Sequence, residues 1–192
     1  MIGTRQTSRR ASAAAGAGVN RVGVSGVPRV LLAVDPATRS GWARFTNGRL
    51  TEFGVVEPTS GATVAGLRAG ITTGLLRREA GDALLVVEEH SHPRSRLTAR
   101  RLAEARRTWE VIAEYLGWRV ERVNAQEWQG KMLGSGTSAT RKRRAQAVAW
   151  DTLVKVGLWP LPSRLEEVNE DVADAIALGL YWLRRATLEG AP

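Results

Sequence analysis

Cysteine is absent from all 192 residues of this chain, and histidine occurs only twice, at His90 and His92. The first absence excludes disulfide scaffolds, zinc–thiolate sites and cysteine nucleophiles, and it leans towards a reducing compartment. The second argues against a histidine-rich metal site. Long hydrophobic runs are missing too: none approaches the ~20 residues of a membrane helix, so the expected protein is cytoplasmic and has no membrane partner. Carboxylates are the abundant groups left for acid–base or metal chemistry.

What the chain has in excess is positive charge. Lys and Arg number 28 against 19 acids, a formal net charge of +9 and a pI near 11.2. Such a balance favours a polyanionic partner, because each neutralised phosphate releases condensed counterions. The length suits one domain large enough to bury its own core.

Residues 1 to 28 contain no acid, four arginines (Arg5, Arg9, Arg10 and Arg21) and many Ala, Gly and Ser. Without apolar periodicity they predict a disordered basic arm. A nonspecific grip on DNA and a cleaved organelle-targeting peptide are the two functional readings left open for it. The folded domain is expected over 29 to 189. Val30 to Val34 is a continuous apolar run, as in a strand buried on both faces. Gly41 to Thr46 and Leu50 to Val56 flank Asn47-Gly48, the dipeptide best suited to a tight hairpin turn. Val64, Leu67, Ile71 and Leu75 repeat at helical spacing, and Ala83 to Val87 is a second buried strand. Leu97, Leu102, Ala105, Trp109, Ile112 and Leu116 mark a long amphipathic helix ending at Gly117. Arg119 to Val123 alternates as a fifth strand. Helices then follow from about Ser138 to Gly157 and from about Asp171 to Arg185. A hairpin followed by alternating helix and strand predicts an α/β fold with a mixed five-stranded sheet flanked by helices.

Asp35 directly follows the first buried strand and Glu88 the second. Open α/β sheets place their sites at such carboxyl ends. Asp171 and Asp174 are three residues apart, so a helix presents both on one face, among small and apolar neighbours. Charges so placed repel and need a cation to ionise together. Four carboxylates form a hard-oxygen set suited to Mg²⁺, with Mn²⁺ able to substitute. Two such ions ~4 Å apart activate a water, stabilise a leaving oxygen and hold both in line, as phosphodiester hydrolysis requires.

The segments Val-Asp-Pro-Ala-Thr-Arg-Ser-Gly-Trp-Ala (34 to 43), Val-Val-Glu-Glu (86 to 89) and Asp-Val-Ala-Asp-Ala-Ile-Ala-Leu (171 to 178) resemble the RuvC-type Holliday junction resolvases in order, spacing and strand context. The resemblance spans roughly 29 to 185. It implies an RNase H-like fold, a homodimer, and paired symmetric nicks across a four-way DNA junction, with Asp35, Glu88, Asp171 and Asp174 as catalytic acids and metal ligands. The sequence departs from the family at three places: Ala37 replaces a glycine, Ser91 stands where an aromatic stacks on a junction base, and Gln129 replaces a lysine, with Lys131 two positions later.

Arg141, Lys142, Arg143 and Arg144 crowd the first turn of a helix, where cations oppose the helix dipole. The preceding Gly134-Ser135-Gly136-Thr137-Ser138 offers backbone amides beside a helix N-terminus, itself an anion site. Phosphate binding accounts for both, so Arg141 to Arg144 are candidate DNA-binding residues, and Lys131 joins them as what the resemblance implies. Arg94, Arg96, Arg100, Arg101, Arg106 and Arg107 face solvent or DNA from the long helix, whose Trp109 is a candidate for dimer packing. Two other readings stand beside junction resolution: an RNase H-like nuclease acting on flaps, branched DNA or RNA, and an inactive DNA-binding module.

Overall fold

The computed structural model describes residues 5–10 (backbone alone), 26–37, 39–57, 75–77, 79, 81–90, 95–158, 162–188 and 190. The apolar run after Arg29 forms β2 (Val30–Asp35), and its alternation sorts the core into two layers. Val30, Leu32 and Val34 pack with Trp42, Leu85 and Trp109, while Leu31 and Ala33 pack with Phe45, Val86 and Ile176. A strand buried on both faces has to read as continuously apolar.

β3 (Ser40–Thr46) and β4 (Arg49–Glu57) form the expected hairpin. Asn47 and Gly48 both take positive φ, 51° and 74°, as the tight two-residue turn requires. β5 (Ala83–Glu89) and β6 (Arg119–Asn124) add in parallel to β2, while β3 and β4 run antiparallel. The sheet is therefore mixed, as predicted.

It has six strands, in the order β1-β4-β3-β2-β5-β6. The additional one, β1 (Arg5–Arg10), pairs antiparallel with β4 along the sheet edge. This corrects the expectation of disorder for those residues. β1 has no apolar alternation to announce it; its backbone supplies the donors and acceptors that an edge strand otherwise leaves open. The rest of the arm, and the predicted helix around Val64 to Ile71, lie outside the described residues.

One face of the sheet is covered by α1 (Arg96–Tyr115), capped by Ser95, whose side chain accepts from Thr98 N–H at 3.1 Å. Trp109 is fully buried there, its Nε1 donating to Ser40 Oγ at 3.3 Å. The suggestion that Trp109 packs a dimer is thereby corrected: the apolar stripe of α1 covers its own sheet. Leu97, counted on that stripe, is instead 60% exposed.

The other face carries α2 (Ala125–Leu133), α3 (Ser138–Val156) and α4 (Glu170–Leu188). α4 lies closest to the sheet, and small residues allow it. A Cβ on Gly41 of β3 would fall on the backbone of Asp171, and one on Gly179 of α4 would fall on the Phe45 ring. The first contact presses the start of α4 against β3 beside the strand ends, and the second seats the middle of the helix on Phe45.

Candidate metal centre

Register and parity bring the acids together. In the parallel β2–β5 ladder Val34 stands beside Val87, so Asp35 and Glu88 follow one residue further at adjacent strand ends. Alternation sends Asp35 to the side of Leu31 and Ala33, and Glu88 to the side of Leu84 and Val86, which is the α4 face. There α4 begins, capped by Asn169, whose side-chain oxygen accepts from the N–H groups of Asp171 (3.0 Å) and Val172 (3.2 Å). Acids in that first turn also suit the helix dipole.

Glu88 is 3% exposed, and its Oε2 accepts from Trp128 Nε1 at 2.8 Å. His90 Nδ1 lies 2.9 Å from Glu88 Oε1, and His90 Nε2 lies 3.5 Å from Asp35 Oδ1. Asp35, Glu88 and His90 offer ligand atoms that all fall within 4.8 Å of one another. A pocket of about 270 Å³ opens beside them, bounded by Pro36, Leu102, Ala103 and Arg106.

Burial and mutual repulsion mark these groups electrostatically. The Asp35 carboxyl is held well above the usual carboxylate range by burial, then by Glu88 and Asp174. Asp174 is pushed up to about 7, again by burial first and then by Glu88. Asp171 rises less: burial lifts it, and Arg39, whose Nε is 2.8 Å from Asp171 Oδ2, opposes the rise. The same Nε reaches Glu57 Oε1 at 2.9 Å, so Arg39 is shared between two acids; Lys142 and His90 oppose the rise at Asp174 and Asp35 only in part. Asp35 Oδ1 is buried with no hydrogen-bond partner. A buried, unbonded carboxylate oxygen among other carboxylates is a poor arrangement for bare negative charge and a good one for a divalent cation. The residues present fit such an ion.

A pH dependence follows. Acids with raised folded pKa values bind more protons folded than unfolded, so stability is full below the unfolded pKa near 3.8 and falls as pH rises towards 7. Asp174 alone contributes at most ~4 kcal/mol. Glu110 acts in the opposite sense: although burial raises it, Arg122, Arg106 and Arg107 hold it low, so its contribution disappears only at acid pH. Thermal melts in chelator are expected to give a lower Tm at pH 7.5 than at pH 5, with Mg²⁺ closing the gap. Equal Tm values in chelator would contradict the raised pKa values.

The Trp128–Glu88 bond was not foreseen, and neither was α2 as an element. The available signal was Asn124 followed three residues later by Glu127, a helix-start pattern; Asn124 Oδ1 does accept from Gln126 N–H at 2.9 Å. Trp128→Phe keeps the ring and removes the donor. Metal affinity is expected to fall by roughly 10–100-fold, as for other outer-shell partners, in a calorimetric Mn²⁺ titration; unchanged affinity would mean that Glu88 is oriented without it.

The basic candidates are dispersed. Lys142 Nζ meets Glu170 Oε2 at 2.5 Å, beside the acids, and Arg141 Nη1 donates to Gln129 Oε1 at 3.1 Å. Arg143 is exposed. Arg144 instead donates to the carbonyls of Leu133 and Ser135, both at 2.7 Å, closing the end of α2. Lys131 pairs with Glu127 at 2.9 Å and faces the C-terminal half of α4 near Tyr181, away from the acids at its start. Of the α1 arginines, Arg100 pairs with Glu104, Arg106 with Glu89 and Arg107 with Glu110. Ser91 and His92 lie outside the described residues.

A mixed sheet with acids at adjacent central strand ends and a further acid on the covering helix is the RNase H-like fold. Among solved structures, this chain is similar to T. thermophilus RuvC in complex with a Holliday junction substrate, with a TM-score of 0.62 and 19% identity over 85% of this chain and 98% of that one. A second Thermus thermophilus RuvC structure gives a TM-score of 0.60 and 20% identity, over 84% and 98%. No protein-family model matches the sequence, and no curated protein matches it. At these identities the likeness establishes the fold.

Proposed function

We propose that this protein is a divalent-metal-dependent DNA endonuclease that resolves four-way junctions by paired symmetric nicks. The observation that carries this reading is the gathering of Asp174 on α4 with Asp35 and Glu88 at adjacent strand ends, with an orphaned buried oxygen on Asp35. The fold it shares with a RuvC bound to a Holliday junction supports the choice of substrate. Residues 29 to 189 act as one nuclease domain in the cytoplasm; among the described residues no helix is long and apolar enough to cross a membrane.

Asp35, Glu88, Asp171 and Asp174 would hold two Mg²⁺ or Mn²⁺ ions. When bound, these would supply an activated water and charge neutralisation at the leaving oxygen. The protein's own part is to shed the protons held on Asp35 and Asp174 and to keep Glu88 aimed through Trp128 Nε1. Arg39 steadies Asp171 against β4. Lys142, tied to Glu170 next to the site, extends a positive flank along which a phosphate backbone can lie.

A homodimer matches the twofold symmetry of two equivalent strands to be cut. Its interface has to avoid Trp109, which is committed to the core. Lys131, Arg141, Lys142 and Arg143 are the proposed phosphate contacts. Replacing Arg141 and Lys142 by Ala is expected to flatten the salt dependence of junction binding by roughly 0.9 in log–log slope per lost phosphate contact. An unchanged slope in a salt titration would place both on a merely solvated face.

The reading is tested on purified protein with Mg²⁺ and three labelled substrates: a mobile four-way junction, a linear duplex and a flap. Symmetric paired nicks in the junction, with the duplex uncut, are expected. Equal cutting of the flap would favour the broader nuclease reading, and binding without any cutting would favour an inactive module.

A further inference from the structure

His90 follows Glu88 by two residues at the end of β5, so its side chain leaves on the same face. It turns inward. Nδ1 is 2.9 Å from Glu88 Oε1, and Nε2 is 3.5 Å from Asp35 Oδ1. With Nδ1–H donating to Glu88, Nε2 is the ring nitrogen left facing Asp35. Asp35 Oδ1 is itself a buried acceptor without a hydrogen bond. A nitrogen and a carboxylate oxygen so placed share a cation, a proton when no metal is bound and a metal ion when one is. Two donors on one ion at ~2.1 Å each stand roughly 3 Å or slightly more apart, close to the separation seen here.

We propose that His90 is a nitrogen ligand of the metal centre, which makes the site prefer a first-row transition ion such as Mn²⁺ over Mg²⁺. The proposal rests on the metal-centre reading above and adds one ligand to its four acids. Mg²⁺ is a hard ion that takes oxygen donors and gives up its water reluctantly, so an imidazole does little for it. Transition ions accept imidazole readily, and the arrangement of a nitrogen donor braced through its other ring nitrogen by a carboxylate is a usual way of orienting it. The inward turn also means that His90 does not replace the junction-stacking aromatic missing at Ser91.

The test uses the full chain, freed of metal. Mn²⁺ and Mg²⁺ affinities are measured by calorimetry, and pulsed EPR is recorded on the Mn²⁺-loaded protein. Imidazole ¹⁴N modulation is expected in wild type and in His92→Ala, and is expected to vanish in His90→Ala. Mn²⁺ affinity should fall by about tenfold or more in His90→Ala, and Mg²⁺ affinity clearly less. Absence of ¹⁴N modulation from wild type, its persistence in His90→Ala, or an equal fall for both ions would overturn the proposal while leaving the acid site standing. If Asp35→Asn binds Mn²⁺ as tightly as wild type, the metal-centre reading itself fails, and the role of His90 fails with it.

Discussion

Asp35→Asn is expected to cut four-way junctions at no more than about a thousandth of the wild-type rate, a loss of roughly 4 kcal/mol in transition-state stabilisation. The substitution keeps size and shape but removes the charge at the one acid, among the described residues, with a buried carboxylate oxygen that lacks a hydrogen bond. The neighbouring Glu88 cannot make up for the loss, because both its oxygens already accept from Trp128 and His90 and a cation there needs a second charged acid. The same substitution should raise the Tm of the metal-free protein at neutral pH, because it ends the repulsion among Asp35, Glu88 and Asp174. Junction binding in chelator should persist or tighten. Loss of cutting with a gain in stability is the signature of an acid kept for chemistry; cutting at the wild-type rate would move the site elsewhere.

Gly41→Ala should have the largest structural effect of any single methyl group added to this chain's described strands. Its Cβ would meet the carbonyl oxygen and carbon of Asp171 and the amide of Val172, all backbone atoms that have no rotamer to escape into. Overpacking of this kind costs about 3 kcal/mol or more, which for a domain of this size lowers Tm by roughly 6–12 °C. Relief can come only by lifting the start of α4, the turn that carries Asp171 and precedes Asp174, so cleavage should fall further than stability alone explains. Gly130→Ala is the control: it sits inside α2 with nothing near its Cβ position, and it should be neutral or stabilising by up to ~1 kcal/mol. Equal melting temperatures for the two variants would mean that α4 does not rest on Gly41.

These two positions also show what the sequence could reveal. Asp35 and Glu88 were legible because each ends an apolar strand, and period-two alternation then fixes the face on which they emerge. Asp171 and Asp174 were legible from helical spacing. The hairpin at Asn47-Gly48 was legible from backbone chemistry, since few residues accept positive φ. Hidden were the features set by tertiary contact. Nothing local says that Trp128 reaches 40 residues back to Glu88, that Gly41 touches Asp171, or that His90 turns into the acids instead of out to solvent. The burial of Trp109 shows the same limit from the other side: an apolar stripe on a helix states that something covers it, and leaves open whether that is its own sheet or a second copy. β1 escaped notice because an edge strand needs only backbone pairing.

The proposed metal centre joins the acids at the ends of β2 and β5 to those at the start of α4. Anomalous diffraction from crystals soaked in Mn²⁺ tests it most directly. The account predicts anomalous peaks bounded by Asp35, Glu88 and Asp174, absent from Asp35→Asn crystals soaked in the same way. A wild-type map with no peak among these residues at millimolar Mn²⁺, or with its strongest peak on another cluster of acids, would contradict it.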